Sequence, residues 1–252
     1  MNYTVRRWEW GCRNMAVVLR KPSTFQQYVT LLKKDLEQEF RTKEMLTSMG
    51  IYALLVLIVF GASLGQTTDS FNMLQVSGGL LWTLIVFTSL LGLNRSFSHE
   101  KEQGCLEGIL LVPLDRSVVF LAKATSNILF LLVVEIIALP LFFFFFLTGI
   151  SLGESFWLLI VPLLLGTVGI AGIGTLLSTI TINTRGKDVM LAVLFVPLTF
   201  PLLFACASAT TAVLVGAESY MDVFMQSCLL VAGYDVIMIL LSWVLYDFVI
   251  TA

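Results

Sequence analysis

Six apolar runs, at roughly residues 49–65, 77–94, 122–147, 156–180, 189–214 and 229–250, divide the chain. Each is close to the ~20 residues a helix needs to cross the hydrocarbon core of a bilayer. No segment alternates apolar and polar positions as the strands of a membrane barrel would. Helices therefore satisfy the backbone in lipid, and the predicted fold is an all-α integral membrane protein with six transmembrane helices. Composition agrees: 58% of residues are apolar and 13% charged, where soluble domains carry about 25% charged.

The pattern changes before the first run. In PSTFQQYVTLLKKDLEQEFRTKEMLT, residues 22–47, Phe25, Tyr28, Val29, Leu32, Leu36 and Phe40 recur at spacings of three and four, with Lys33, Lys34, Glu37 and Arg41 on the other side. This periodicity predicts an amphipathic helix over about residues 24–46, with Thr24 as its cap and Gln27 at the capping-box position. Beside a span and rich in lysine, it is expected to lie in the cytoplasmic interface plane; packing on its own protein as a solvated helix is the alternative. The chain thus divides into a cytoplasmic arm, 1–47, and a six-helix permease domain, 48–252. Trp8 and Trp10 either anchor the first twenty residues at the interface or belong to a disordered stretch, and whether the protein starts at Met1 or Met15 stays open.

Charge placement orients the spans. The 15 basic residues fall in the arm, in the second loop and its flanks (Arg95, Lys101, Arg116, Lys123) and in the fourth loop (Arg185, Lys187). The other three loops hold only Asp69, Glu154, Glu218 and Asp222. The positive-inside rule puts both termini in the cytoplasm. The first 47 residues hold no apolar stretch of signal-peptide type, so the first span is expected to be the insertion signal. Cys12, Cys105, Cys206 and Cys228 form no CxxC pair, and neither a disulfide framework nor a metal site is expected. No nucleic-acid partner is expected either.

The second loop, about 97–117, contains HEKEQGCLEGILLVP. Read as a helix from about Glu100, it puts Leu106, Ile109 and Leu110 on one side and Glu100, Lys101, Glu102, Gln103 and Glu107 on the other. Gly104 permits a bend, Pro113 closes the segment and Asp115 can cap the next helix. An inert connector would satisfy the same pattern.

Within the spans, Glu135 lies near the middle of the third, where an acid costs at least about 2.5–3.5 kcal/mol. It is either a functional group on a polar path or partner contact, or a hydrogen-bonded structural acid near Pro140. Asp235 and Asp247 read as lying toward the outer and inner ends of the last span and carry less weight. Gly166, Gly169, Gly172 and Gly174 make the fourth span small-residued, for close packing or for a dimer seam. Pro197 and Pro201 are expected to bend the fifth span. The Phe142–Phe146 run reads as lipid-facing and core-filling.

The run SHEKEQGCLEGILLVPLDRSVVFLAK, residues 98–123, resembles the loop of the CcmB family, the heme exporter membrane subunits of bacterial cytochrome c maturation, and is similar more broadly to ABC-2 exporter permeases. The shared pattern is carried by Glu100, Glu102, Gly104, Leu106, Glu107 and Pro113. LLKKDLEQEFRTKEML, VVEIIALPLFFFFF, GTVGIAGIGTLLS, NTRGKDVMLAVLFVPLTFPLL and YDVIMILLSWVLYDFV follow in the family's order, so the likeness covers roughly residues 28–250 and leaves the first twenty or so without a family role. It implies a transport subunit in the bacterial inner membrane, working with a separate ABC ATPase (CcmA-like) and with CcmC-like and CcmD-like subunits, in two copies per complex. The loop, with Ile109 and Leu110, then becomes the element that docks on the ATPase.

Absences fit that division of labour. No G-x-x-x-x-G-K-[ST] motif occurs, so the chain is not an enzyme by this reading, and ATP belongs on the partner. The five tryptophans are scattered rather than gathered in a heme-handling WWD cluster, and the sole histidine, His99, reads as surface. Heme is expected as a handled ligand, not a bound cofactor. Two rivals stand: an ABC-2 exporter of a lipid, glycan or drug, and a stand-alone secondary transporter. The latter predicts inverted repeats, and residues 48–147 and 156–250 show no convincing one.

Overall fold

The computed structural model describes residues 23–64, 73–102, 116–146, 156–181, 186–215 and 221–251. Among these residues the chain is helical throughout: α1 Thr24–Thr42, α2 Glu44–Leu64, α3 Met73–Glu102, α4 Arg116–Phe146, α5 Phe156–Thr181, α6 Lys187–Val215 and α7 Met221–Thr251. The last six are each long and apolar enough to cross a membrane. The expected six-helix membrane fold with a preceding amphipathic helix is the one observed.

Helix ends differ from the apolar runs because spanning helices continue into polar sequence. α3 runs on to Glu102 over 30 residues, about 45 Å at 1.5 Å per residue, against a hydrocarbon core of about 30 Å. α7 begins at Met221, eight residues before the apolar run, and this moves Asp235 from the end of a span to its middle. The arm helix stops at Thr42, earlier than the expected 46, where Lys43 takes a left-handed conformation (φ 53°) and its N–H bonds the Glu39 carbonyl. That break turns the chain into α2. The N-cap is Ser23, not Thr24. Ser23 accepts from the Gln26 N–H, and the Gln26 side chain accepts from the Ser23 N–H, each at 3.3 Å. Gln27 is unavailable for the box because it faces inward and is buried.

Packing centres on α5, which touches α3, α4, α6 and α7. α3 and α5 are the most buried spans, and α2 and α7 the least. α2 leans on α3 and α4. The aromatic run splits by helical geometry: Phe142 and Phe146 stack at 4.8 Å in the core, while Phe144 and Phe145 face outward. Pro140, Pro162, Pro197 and Pro201 all lie inside continuous helices. Proline withholds a donor from the turn before it. In that stretch of α6 the Leu198 carbonyl takes a hydrogen bond from the Tyr234 hydroxyl of α7.

Trp82 of α3 is fully buried and donates its indole N–H to Thr210 Oγ1 of α6 at 2.9 Å. Thr210→Val keeps the shape and orphans the indole N–H, which costs about 1–3 kcal/mol. The expected result is a melting temperature several degrees lower in detergent, with assembly unchanged; an unaltered melting curve would show the bond to be dispensable.

Candidate functional site

Polar side chains inside the bundle gather around α5. Thr167 sits one turn from Leu163, and its hydroxyl lies 2.7 Å from both the Leu163 carbonyl and Glu135 Oε1 of α4, which share its single proton. Two turns along, Asn127 of α4 donates to Thr175 at 2.9 Å. Glu135 is therefore buried and hydrogen-bonded between α4 and α5.

Asp235 of α7 approaches α5 from another side. It is 4% exposed, and neither carboxylate oxygen has a hydrogen-bond partner among the described residues. Its closeness to α5 depends on glycine: a Cβ on Gly169 would collide with Asp235 Oδ1 and lie 2.9 Å from Leu202. Thr167 and Gly169 are two residues apart, about 200° around the helix. The two acids thus flank α5 on opposite sides and form no carboxylate pair. The remaining glycines are packing notches within the chain: Gly166 faces Trp82 and Cys206, Gly172 faces Ile239, and Gly174 faces Leu93.

At the end of the bundle that carries the arm, α1 presents three faces. On a wheel of about 100° per residue, Phe25, Val29 and Phe40 form an exposed apolar strip. Lys33 and Glu37 pair on a solvated strip. Gln27, Tyr28 and Asp35 form the third face, against α4. There Tyr28 donates to Thr125 at 3.0 Å, Ser126 donates to Asp35 at 3.2 Å, and Lys123 pairs with Asp35 at 3.4 Å. Of the two sequence expectations for the arm, packing on the protein is the one seen, and the strip of Phe25, Val29 and Phe40 stays exposed. The docked strip escaped the sequence reading because it is polar.

Of the loop residues, Glu100 and Glu102 are placed in the last turns of α3, as a continuation of that spanning helix. Gly104, Leu106, Glu107, Ile109, Leu110 and Pro113 lie outside the described residues, as do Cys12, Cys105 and the first twenty-two positions. What is visible is the pair of supports: α3 arriving and α4 leaving at Arg116. α4 is also the helix on which the arm docks. No cluster of three metal-ligating side chains exists among the described residues.

The pattern described as CcmB protein matches residues 26–247, nearly the whole chain from the arm helix to the last span. The chain belongs to the CcmB family. Among curated relatives, heme exporter protein B of Haemophilus influenzae is 26% identical over 73% of this chain and 81% of its own length. Heme exporter protein B of Pseudomonas aeruginosa is 27% identical over 75% and 82%, and that of Paracoccus denitrificans 25% over 66% and 75%. The CcmB match begins inside α1 and so takes in the docked arm as well as the six spans.

Proposed function

We propose that this chain is the membrane subunit of an ABC-type complex in cytochrome c biogenesis, multi-pass in the bacterial inner membrane with both termini cytoplasmic. The carrying observation is the CcmB match across residues 26–247 together with relatives named heme exporter protein B. Heme is the ligand the complex exports or passes to a chaperone, and ATP is hydrolysed on a separate subunit. The arm, residues 1–47, and the permease, 48–252, are two functional parts; the cytoplasmic element is the loop at about 97–117. In this reading Glu100, Glu102, Gly104, Leu106, Glu107, Ile109, Leu110 and Pro113 dock on the ATPase. Two long helices, α3 and α4, carry that contact into the bundle, where a shift of packed spans is the usual response to a rigid push. Glu135 and Asp235 are the intramembrane groups we assign to function rather than to stability. Pro197 and Pro201 shape α6, which contacts both α5 and α7. Two copies pair with two ATPases and with CcmC-like and CcmD-like subunits around a two-fold axis.

The test is co-purification of the tagged chain from its native membrane in mild detergent, beside a Glu107→Ala, Leu110→Asp variant. An ABC ATPase is expected with the wild type and should fall at least tenfold with the variant, whose own yield is unchanged. Cytochrome maturation factors in the same eluate support the heme assignment; an ATPase without them favours a different exported substrate. A folded chain that brings no ATPase overturns the coupling reading.

A further inference from the structure

An apolar groove of about 300 Å³ runs between α2 and α4. Its floor is buried and made shallow in side-chain bulk by Ala53 and Ala138, with Leu57 beneath. Its rim, Leu54 and Ile137, is exposed. Gly50 opens the middle: a Cβ there would meet nothing within 4 Å. The groove starts at Leu46, one turn after Lys43. There Lys43 and Arg41 are exposed and form no ion pair among the described residues. The acids nearby are engaged: Glu44 pairs with Arg95 at 2.8 Å, and Glu39 accepts the Leu46 N–H at 2.8 Å.

We propose that this groove is a binding site for an anionic phospholipid, its acyl chain lying along Gly50 between α2 and α4 and its phosphate held at Lys43 and Arg41. Two observations converge on that chemistry. A slot lined by Gly, Ala, Val, Leu and Ile at membrane depth accepts a flexible hydrocarbon chain, while a helix of about 10 Å diameter would need a broader face. Two exposed, unpaired cations, three and five residues ahead of Leu46 in the chain, select a negative headgroup, as basic pockets at the ends of spanning helices do. The site also sits where the arm joins the first span, so an occupied groove would brace the Lys43 turn.

The full-length protein should be reconstituted in vesicles of equal parts phosphatidylglycerol and phosphatidylcholine, re-extracted gently, and its retained lipid identified by native mass spectrometry. One phosphatidylglycerol per chain is expected, favoured about fivefold or more over phosphatidylcholine. Arg41→Gln with Lys43→Gln should keep the lipid and lose the preference. Gly50→Leu, which fills open space without touching the core, should cut retention at least fivefold with elution and melting unchanged. Equal retention in Gly50→Leu, or no headgroup preference in the wild type, overturns the proposal. So does a Leu54→Cys variant that cross-links in the membrane to another subunit's span, which would make the groove a protein contact.

Discussion

Gly166→Leu is expected to abolish accumulation of folded protein. A Cβ at this position would already overlap the Trp82 ring and lie 3.0 Å from Cys206 Sγ. Trp82 cannot yield, because it is fully buried and fixed by its bond to Thr210. Overpacking a rigid core costs about 1–3 kcal/mol for a few added atoms, and a leucine adds four at the centre of the contact between α3, α5 and α6. Gly166→Ala should survive with a clearly lowered melting temperature, and Gly166→Leu should aggregate on extraction. Gly79→Leu, in open space on α3, is the control and should behave as wild type. Size-exclusion profiles and thermal unfolding in detergent read all three; a monodisperse Gly166→Leu would mean that α3 and α5 are not as close as described.

The second large effect separates activity from stability. Asp235→Ala removes a carboxyl that has no hydrogen-bond partner among the described residues. A buried acid costs at least about 2.5–3.5 kcal/mol in a span, which offsets the small hole left behind. Its melting temperature should hold or rise, whereas most buried substitutions lower it. If the carboxyl is kept for transport, the yield of heme-bearing cytochrome c in cells carrying the variant should drop by at least tenfold with the complex still assembled. A variant that melts earlier would make Asp235 a structural group with a partner the bundle supplies; one that melts normally and restores full cytochrome yield would remove it from the site.

Asp235 is hard to place from sequence because of what lipid demands of a chain. A bilayer requires about 20 apolar residues, so the six spans stood out at once. Their ends did not, because a helix leaving the core keeps its backbone bonds while its side chains become polar. Met221–Cys228 contains Asp222 and Gln226, which broke the apolar run and pushed Asp235 to its edge. The arm shows the complementary blindness. Periodicity separates Phe25 and Phe40 from Lys33 and Glu37, but it cannot tell a polar face in water from one that bonds a neighbour. Asp35 carries no signal in that pattern and Gln27 reads as part of a capping box, yet both lie on the docked strip. The glycines of α5 were legible as small positions, whereas Trp82 and Asp235 as their counterparts required the fold. The loop's charge marks it as a segment that lipid rejects, and between Glu102 and Arg116 it lies outside the described residues.

The docking of the arm has a consequence for biosynthesis. Asp35 precedes Lys123 by 88 residues. At about 5–20 residues per second, roughly 4–18 s separate their emergence from the ribosome. During that interval α1 exists without the surface it will finally occupy, while the first two spans are being threaded. Its strip of Phe25, Val29 and Phe40 is exposed even in the finished fold. The polar strip then waits for the third span to arrive, and only when it does can the helix become a strut of the finished protein.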